Sequence, residues 1–385
     1  MTRFVLLLAV CCPMLAQDSR PAPQWTVNLH ESYGFQSFER AQTATWLKQQ
    51  GLVFITPDWL AVYQVNQRLS PLPLAQRDAH GGAGNFFLDL KILDTHDGHI
   101  VKSMRFPTSG AFSQVLAARS GNVLVRTGDI LSLITPDSKI IAARPLPLER
   151  KAPFESWHMD VPPSHAEVTL VHQQLFVHPV VLGDGTVASP GKSEGEVEIL
   201  DPDTLKALKQ FKVSSYLTHW SAGDHFLVGN HASQAYQAEE YGILDFNGRW
   251  TNLKAKFPHN LPCSPVMDAL DQEMIAAYSC NGIVVLSKSG DQVFSTKVKS
   301  DQVPVSVVSA GNYLAVELVA QSGFHNTSMR PLRLDVFNVK SGAGLISIPL
   351  TKTVIFCDIS REGFAAVLEG EMLSMYALGK REGDF

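Results

Sequence analysis

One motif recurs along the whole chain: an apolar, β-branched run closing on Asp or Asn, a short polar turn, and another apolar run. It is centred on Asp94 in Leu90–Ile100, on Asp137 in Ile130–Ile141, on Asp201 in Val197–Leu205 and on Asp245 in Tyr241–Trp250. Ile283–Val293, turning at Gly290, and Leu334–Gly342, turning at Asn338, continue the series. Asp94 to Asp137 is 43 residues, Asp137 to Asp201 is 64, and Asp201 to Asp245 is 44. A repeat of this length built of strands predicts a β-propeller or a related array.

Each repeat divides into about four strands when apolar runs are cut at Gly, Pro, Asn and Asp. The clearest has strands beginning at Val115, Val123, Ile130 and Lys139. Its strands are apolar at nearly every position, which fits sheets covered on both faces. The same pattern fits residues 41–106, 155–213, 216–256, 263–299, 303–350 and 353–378. The last stretch holds three strands, at Val354, Phe364 and Met372, and Trp25–Leu29 is free to supply a fourth. The expected fold is therefore all-β: a seven-bladed β-propeller of four-stranded antiparallel blades, its ring closed by an N-terminal strand so that no edge is left open. Ser37–Gln50 has room for a helical turn. Two separate β-sandwiches would need a mid-chain linker, and no Gly/Ser- or Pro-rich stretch supplies one.

Residues 1–16 have the layout of a secretory signal: Arg3, the apolar run Phe4–Val10, and Ala16 at a cleavage position. The expected organisation is a signal over 1–16 and a single propeller domain over 17–385, in a secreted or periplasmic protein. Removal of the signal takes Cys11 and Cys12 and leaves Cys263, Cys280 and Cys357. Two readings stay open for these: a disulfide between Cys263 and Cys280 within one blade, or three small buried thiols. The net charge of −5 is scattered over the chain, which argues against a nucleic-acid partner, and no stretch is long enough to span a bilayer as a helix. A monomer is expected.

The strand, Ile-Leu-Asp, turn, strand pattern at 199–201 and 243–245 resembles that of bacterial secreted seven-bladed β-propellers of the YVTN and WD40-like repeat superfamily. The resemblance covers about 41–378 and lies in the pattern alone: no Trp-Asp pair closes a blade and no Tyr-Val-Thr-Asn run occurs. Propellers of this kind include scaffolds, ligand binders, lactonases and large subunits of amine dehydrogenases, so the resemblance implies a fold and not an activity.

No catalytic set, metal site or cofactor is expected. His219, His225 and His231 are spaced by six, which does not converge three imidazoles on one ion, and no His-x-His or Cys-x-x-Cys pattern occurs. No Gly-x-Ser-x-Gly elbow marks a nucleophile. Glu239, Glu240 and Asp268 offer carboxylates but are ordinary as solvated loop and turn residues. Gly81–Gly84 lacks the Lys-Ser/Thr of a phosphate loop. Asn326-Thr-Ser328 matches the glycosylation triplet.

A propeller's turns between first and second, and third and fourth, strands emerge on one face; its other connections emerge on the opposite face. The first set is short here, at Arg119–Asn122, Ser221–Asp224, Ser309–Asn312, Arg361–Gly363, Pro136–Ser138 and Ser287–Gly290. The second holds the insertions Pro71–Asn85, Leu182–Gly195, Asn230–Glu240 and Gln321–Arg330. A binding face is expected there, made of His80, His231, Tyr236, Glu239, His325 and Arg330 from loops, with Trp157, His158, His219 and Trp220 from connections between blades. The expected function is non-enzymatic binding of a protein or small-molecule ligand. The alternative is an envelope enzyme or enzyme subunit, lactonase-like or dehydrogenase-like, with its site over the central channel.

Overall fold

The computed structural model describes residues 21–35, 50–68, 85–108, 113–118, 120–127, 130–146, 166–171, 174–179, 194–214, 217–222, 226–234, 237–245, 247, 249–253, 266–270, 273–279, 282–320, 330–351 and 355–379. They begin with strand β1 (Trp25–Asn28) and a five-residue helix α1 (Leu29–Tyr33). The first sheet follows as β2 (Gln50–Thr56), β3 (Trp59–Arg68), β4 (Asn85–Asp94) and β5 (Ile100–Thr108). The second is β6 (Ser113–Ala117), β7 (Val123–Thr127), β8 (Ile130–Ile134) and β9 (Ile140–Pro145). The third is β10 (Ala166–Val171), β11 (Gln174–Pro179), β12 (Glu194–Leu200) and β13 (Ala207–Ser214). The fourth is β14 (Leu217–Ala222), β15 (Phe226–Gln234), β16 (Gln237–Asp245) and β17 (Trp250–Asn252). The fifth is β18 (Val266–Leu270), β19 (Met274–Ser279), β20 (Gly282–Ser287) and β21 (Gln292–Lys297). The sixth is β22 (Gln302–Ala310), β23 (Tyr313–Ala320), β24 (Arg330–Asn338) and β25 (Gly344–Pro349). The last is β26 (Ile355–Ile359), β27 (Phe364–Glu369) and β28 (Met372–Ala377), with β1 as its fourth strand.

The described residues thus form an all-β chain of four-stranded antiparallel sheets, each a meander in chain order except for the seventh. There β1 pairs with β28 in the register Trp25↔Met375 to Asn28↔Met372. Second strands are buried on both faces, as β19 is throughout, whereas fourth strands such as β21 and β9 are largely exposed. This gradient explains why inner strands read as unbroken apolar runs. First strands of successive sheets touch: β2 meets β6 and β26, β14 meets β10 and β18, and β22 meets β18 and β26.

The recurring Asp is a turn residue with a definite task. At the end of β4, Asp94 Oδ1 accepts from His96 N at 2.8 Å, and after β12 Asp201 Oδ1 accepts from Asp203 N at 2.8 Å. Asp245 Oδ1 takes the amides of Asn247 and Arg249, and Asn338 Oδ1 those of Lys340 and Ser341. A short side-chain acceptor replaces a carbonyl and lets the chain reverse without an orphaned N–H. In the second sheet that position belongs to Thr135, whose Oγ1 accepts from Lys139 N at 3.2 Å, so the equivalent residue lies two before Asp137.

Apolar clusters join neighbouring sheets. Leu88, Leu90 and Ile92 pack with Val123 and Val125 between the first and second sheets, and Leu131 and Leu133 with Leu200 and Leu205 between the second and third. Phe226 and Val228 meet Met267 and Ile275 between the fourth and fifth; Ile283 and Val285 meet Leu314 and Val316 between the fifth and sixth. Leu334 and Val336 pack on Ala365 and Val367 between the sixth and seventh. Leu60, Val62 and Leu93 pack on Leu368, Leu373 and Met375 between the first and seventh. Each fully buried Leu here contributes about 1.5–3 kcal/mol over an exposed one.

The junction of the first and seventh sheets is also cross-linked by the N-terminal segment. Trp25 Nε1 donates to Thr95 O at 2.8 Å, and the Tyr33 hydroxyl donates to Gly98 O. Gly98 has φ +78° and lies under the Trp25 ring, where a Cβ would stand 3.0 Å from Cε3. Between these anchors Asn28 caps α1, its Oδ1 accepting from His30 N and Glu31 N, and Gly34 ends the helix at φ +70°. Among the described residues, no helix is long and apolar enough to cross a membrane.

Candidate functional site

The strand ends define two faces. Turns from first to second and third to fourth strands form a short-turn face; the remaining connections form the opposite, long-connection face. Arg68 to Asn85, Pro179 to Glu194 and Ala320 to Arg330 are the widest gaps inside sheets, and all lie on the latter.

Buried polar side chains concentrate toward that same face. In the first sheet Gln64, Asn66 and Asp89 are buried. Asp89 accepts from Asn66 Nδ2 and from Arg105 Nε, with Arg105 Nη2 at 3.2 Å from its second oxygen. This hydrogen-bonded pair raises the Arg105 pKa still further, holding the guanidinium charged, and its carbon lies 5.7 Å from the Phe87 ring centroid. In the second sheet Ser113 and Arg126 are buried, and Ser113 Oγ lies 2.9 Å from Thr108 Oγ1. In the fifth, the Tyr278 hydroxyl donates to Asp268 Oδ2 at 2.8 Å; burial, then that carboxylate, raises its pKa. In the sixth, Ser306 Oγ donates to Glu317 Oε2 at 2.9 Å, while burial pushes the Glu317 pKa up.

Four buried atoms carry the argument further. Gln50 Nε2, Asn66 Oδ1, Ser279 Oγ and Gln302 Oε1 make no hydrogen bond within the described chain. Gln50 and Gln302 open first strands, and Asn66 and Ser279 stand near or at the ends of second strands. All four therefore lie toward the long-connection face. A buried polar atom left unsatisfied costs about 1–3 kcal/mol, and such groups gather where a protein gives up stability for another purpose.

The expected binding-face residues are only partly placed. His80, Trp157, His158, Tyr236 and His325 lie outside the described residues. Arg330 opens β24, is exposed and pairs with Ala320 at the long-connection end. His219 and Trp220 belong to β14 itself and not to a connection between sheets; they face Asn230 and Gly229 in register. Asn230–Glu240 is not a loop: β15 runs to Gln234 and β16 starts at Gln237, so the insertion is an extended hairpin. Its alternation of small and polar residues hides strand character that the backbone ladder realises. The register places Leu217, His231 and Glu240 in one row across three strands, with Glu239 opposite Ala232 in the next. Sequence reasoning missed Gln50, Gln64, Asn66, Asp89, Arg126, Ser279 and Gln302. Their signal was a polar residue inside or beside an apolar inner strand, as in Val65-Asn66 and Tyr278-Ser279.

Cys263 and Cys280 lie outside the described residues, and Cys357 is a free thiol whose burial pushes its pKa up to about 12. Among the described residues, Asp94, Asp97 and His99 bring ligand-type atoms within 4.8 Å of one another. They sit on the opposite, short-turn face. His99 Nδ1 lies 2.6 Å from Asp97 Oδ1 and Asp97 accepts from His99 N, an exposed turn arrangement that accounts for the grouping.

No family model matches the chain, and no curated protein does. Among solved structures it is similar to virginiamycin B lyase from Staphylococcus aureus, at 12% identity and TM-score 0.50, over 92% of this chain and 98% of that one. It is similar to Pyrococcus horikoshii acylaminoacyl peptidase, at 9% identity and TM-score 0.51, over 88% of this chain and 54% of that one. A further match is BamB from Moraxella catarrhalis, at 10% identity and TM-score 0.40, over 93% of this chain and 99% of that one. The fold is a β-propeller. Identities this low speak to fold alone.

Proposed function

We propose that this chain is a seven-bladed propeller, closed by β1, that binds a protein or small-molecule ligand over its long-connection face without transforming it. The observation that carries the reading is the placement of Gln50 Nε2, Asn66 Oδ1, Ser279 Oγ and Gln302 Oε1, buried atoms that lack partners among the described residues and all lie toward that face. Unspent hydrogen-bonding capacity at the mouth of a rigid ring is what a ligand of complementary polarity recognises. The potential acid–base groups nearby are occupied with one another: Asn66 and Arg105 with Asp89, Tyr278 with Asp268, Ser306 with Glu317. That favours a scaffold over an enzyme.

Closure by β1 rests on its pairing with β28 and on the contact of β2 with β26. The exported location and monomeric state rest on the sequence, through the signal-like residues 1–16 and the single repeated domain that follows. The test is capture of interacting molecules from an envelope fraction. Tyr236→Ala combined with Arg330→Ala weakens capture while the melting temperature holds. Loss of capture on Asn122→Ala with Asn312→Ala instead would move the binding surface to the short-turn face.

A further inference from the structure

The apolar junction between the first and seventh sheets turns polar at its long-connection end. Deeper in, Leu60, Val62 and Leu93 pack on Leu368, Leu373 and Met375. Gln64 follows Leu60 and Val62 on the same face of β3, since side chains alternate along a strand. The ladder sets Gln50, Gln64, Asp89 and Arg105 opposite one another, a polar row across all four strands. A small cleft opens against this row, bounded by α1 and by the turn joining β27 to β28. Leu29, His30, Phe35, Gln50, Gln64 and Glu371 line it, and it holds about 250 Å³ counting its open mouth.

The lining selects by hydrogen bonding and by charge. Gln50 Nε2 is buried and makes no hydrogen bond among the described residues, so the wall presents one open donor. His30 Nδ1 lies 2.6 Å from Phe35 O. A carbonyl oxygen only accepts, so Nδ1 carries the proton and Nε2 of the neutral ring is an acceptor. Glu371 adds a carboxylate, and among the described residues neither Lys nor Arg lines the cleft. The nearby cations are engaged elsewhere: Arg105 holds Asp89 through two nitrogens, and Lys91 Nζ donates to Ser103 Oγ at 2.6 Å. An anion would meet Glu371 with no cation to offset it. A cation would leave the Gln50 donor unmatched. Leu29 and Phe35, both buried, supply an apolar flank.

We propose that this cleft receives a neutral amide group, its oxygen accepting from Gln50 Nε2 and its N–H turned to the acceptors of His30 and Glu371. An amide carries one acceptor and one donor on a flat, uncharged frame that a space of this size admits. It is the group that a peptide main chain shares with an Asn or Gln side chain. The inference rests on the long-connection face being the binding face, and it names the chemistry recognised there.

The test titrates the purified full chain with acetamide, N-methylacetamide and acetate, and reads the Gln50 side-chain amide by nitrogen-15 NMR. The expected result is a saturable, millimolar response to acetamide that Gln50→Met removes, with acetate weaker by about tenfold. Glu371→Gln should bring acetate up toward acetamide. N-methylacetamide sorts the source: binding like that of acetamide marks a main-chain peptide group, and exclusion marks a side-chain amide. Equal responses to acetamide and acetate in the wild-type chain, or shifts that never saturate, overturn the proposal. Should Gln50→Met fail to fold, the wild-type map decides. Shifts centred on Gln50, Leu29 and Glu371 uphold the cleft, and shifts centred elsewhere overturn it. The probes need no natural partner, so an unresponsive cleft with envelope capture intact counts against the cleft alone. An amide response without capture upholds the cleft and counts against the scaffold reading.

Discussion

The recurring turns and the long-connection ends of the inner strands treat their polar groups differently. On the short-turn face Asp94, Asp201, Asp245 and Asn338 each have a side-chain oxygen matched to backbone amides within a few residues. Those groups serve the chain itself. On the long-connection face Gln50, Asn66, Ser279 and Gln302 each leave a polar atom buried and unmatched among the described residues. The difference teaches where to look on a repeated scaffold: turn residues that recur are structural, and polar residues that interrupt only some inner strands are the candidates for function.

The largest expected effect is at the first–seventh junction. Deleting Trp25–Asn28 exposes the β28 edge, so unfolding loses cooperativity and the chain associates, as read by denaturation and light scattering. Trp25→Ala alone, which removes the ring over Gly98 and the bond to Thr95, costs about 2–3 kcal/mol in urea. Next comes Asn338→Ala, which leaves two turn amides without their acceptor and costs about 1 kcal/mol. Gln302→Met is expected to act in the opposite direction, stabilising by about 1 kcal/mol through removal of an unmatched buried oxygen. A destabilised Gln302→Met protein would break the comparison, because that side chain would then be structural like those across the molecule. The smallest effect is at the exposed His99–Asp97 pair. The hydrogen bond to Asp97 raises the His99 pKa, so any stabilisation is present below the free imidazole value and lost as pH rises through the raised one. Screening by solvent keeps it small, and His99→Ala should leave melting unchanged at pH 5 and at pH 8.

Much of this architecture was legible because the turn and strand chemistry repeats. The motif at Asp94, Asp201, Asp245 and Asn338 marks third-to-fourth turns, and the three-stranded ending at Val354, Phe364 and Met372 pointed to Trp25 as a source of the fourth strand. What stayed hidden depended on register. His219 and Trp220 lie inside β14, and β15 and β16 extend past Asn230 and Glu240, where ladder hydrogen bonds stabilise a hairpin whose small and polar side chains carry little β signal. Helix α1 is too short for periodicity to reveal; only the Asn28 cap and Gly34 bracket it. The unmatched polar atoms were beyond reach for a different reason. A glutamine such as Gln302 is ordinary at the start of a strand, and only packing shows its oxygen to be enclosed.

The antiparallel pairing of β1 with β28 also fixes how the molecule answers to force. Trp25 and Met375 are partners, so the two ends of the described chain leave the seventh sheet from the same side. Tension applied between them loads the ladder from that side inward, one hydrogen bond after another, and not all of them at once in shear. The strand peels like a zipper, at loads far below those needed to slide two strands past each other. Traction from the ends would thus strip β1 from the seventh sheet while the six sheets built of consecutive strands keep their own pairing.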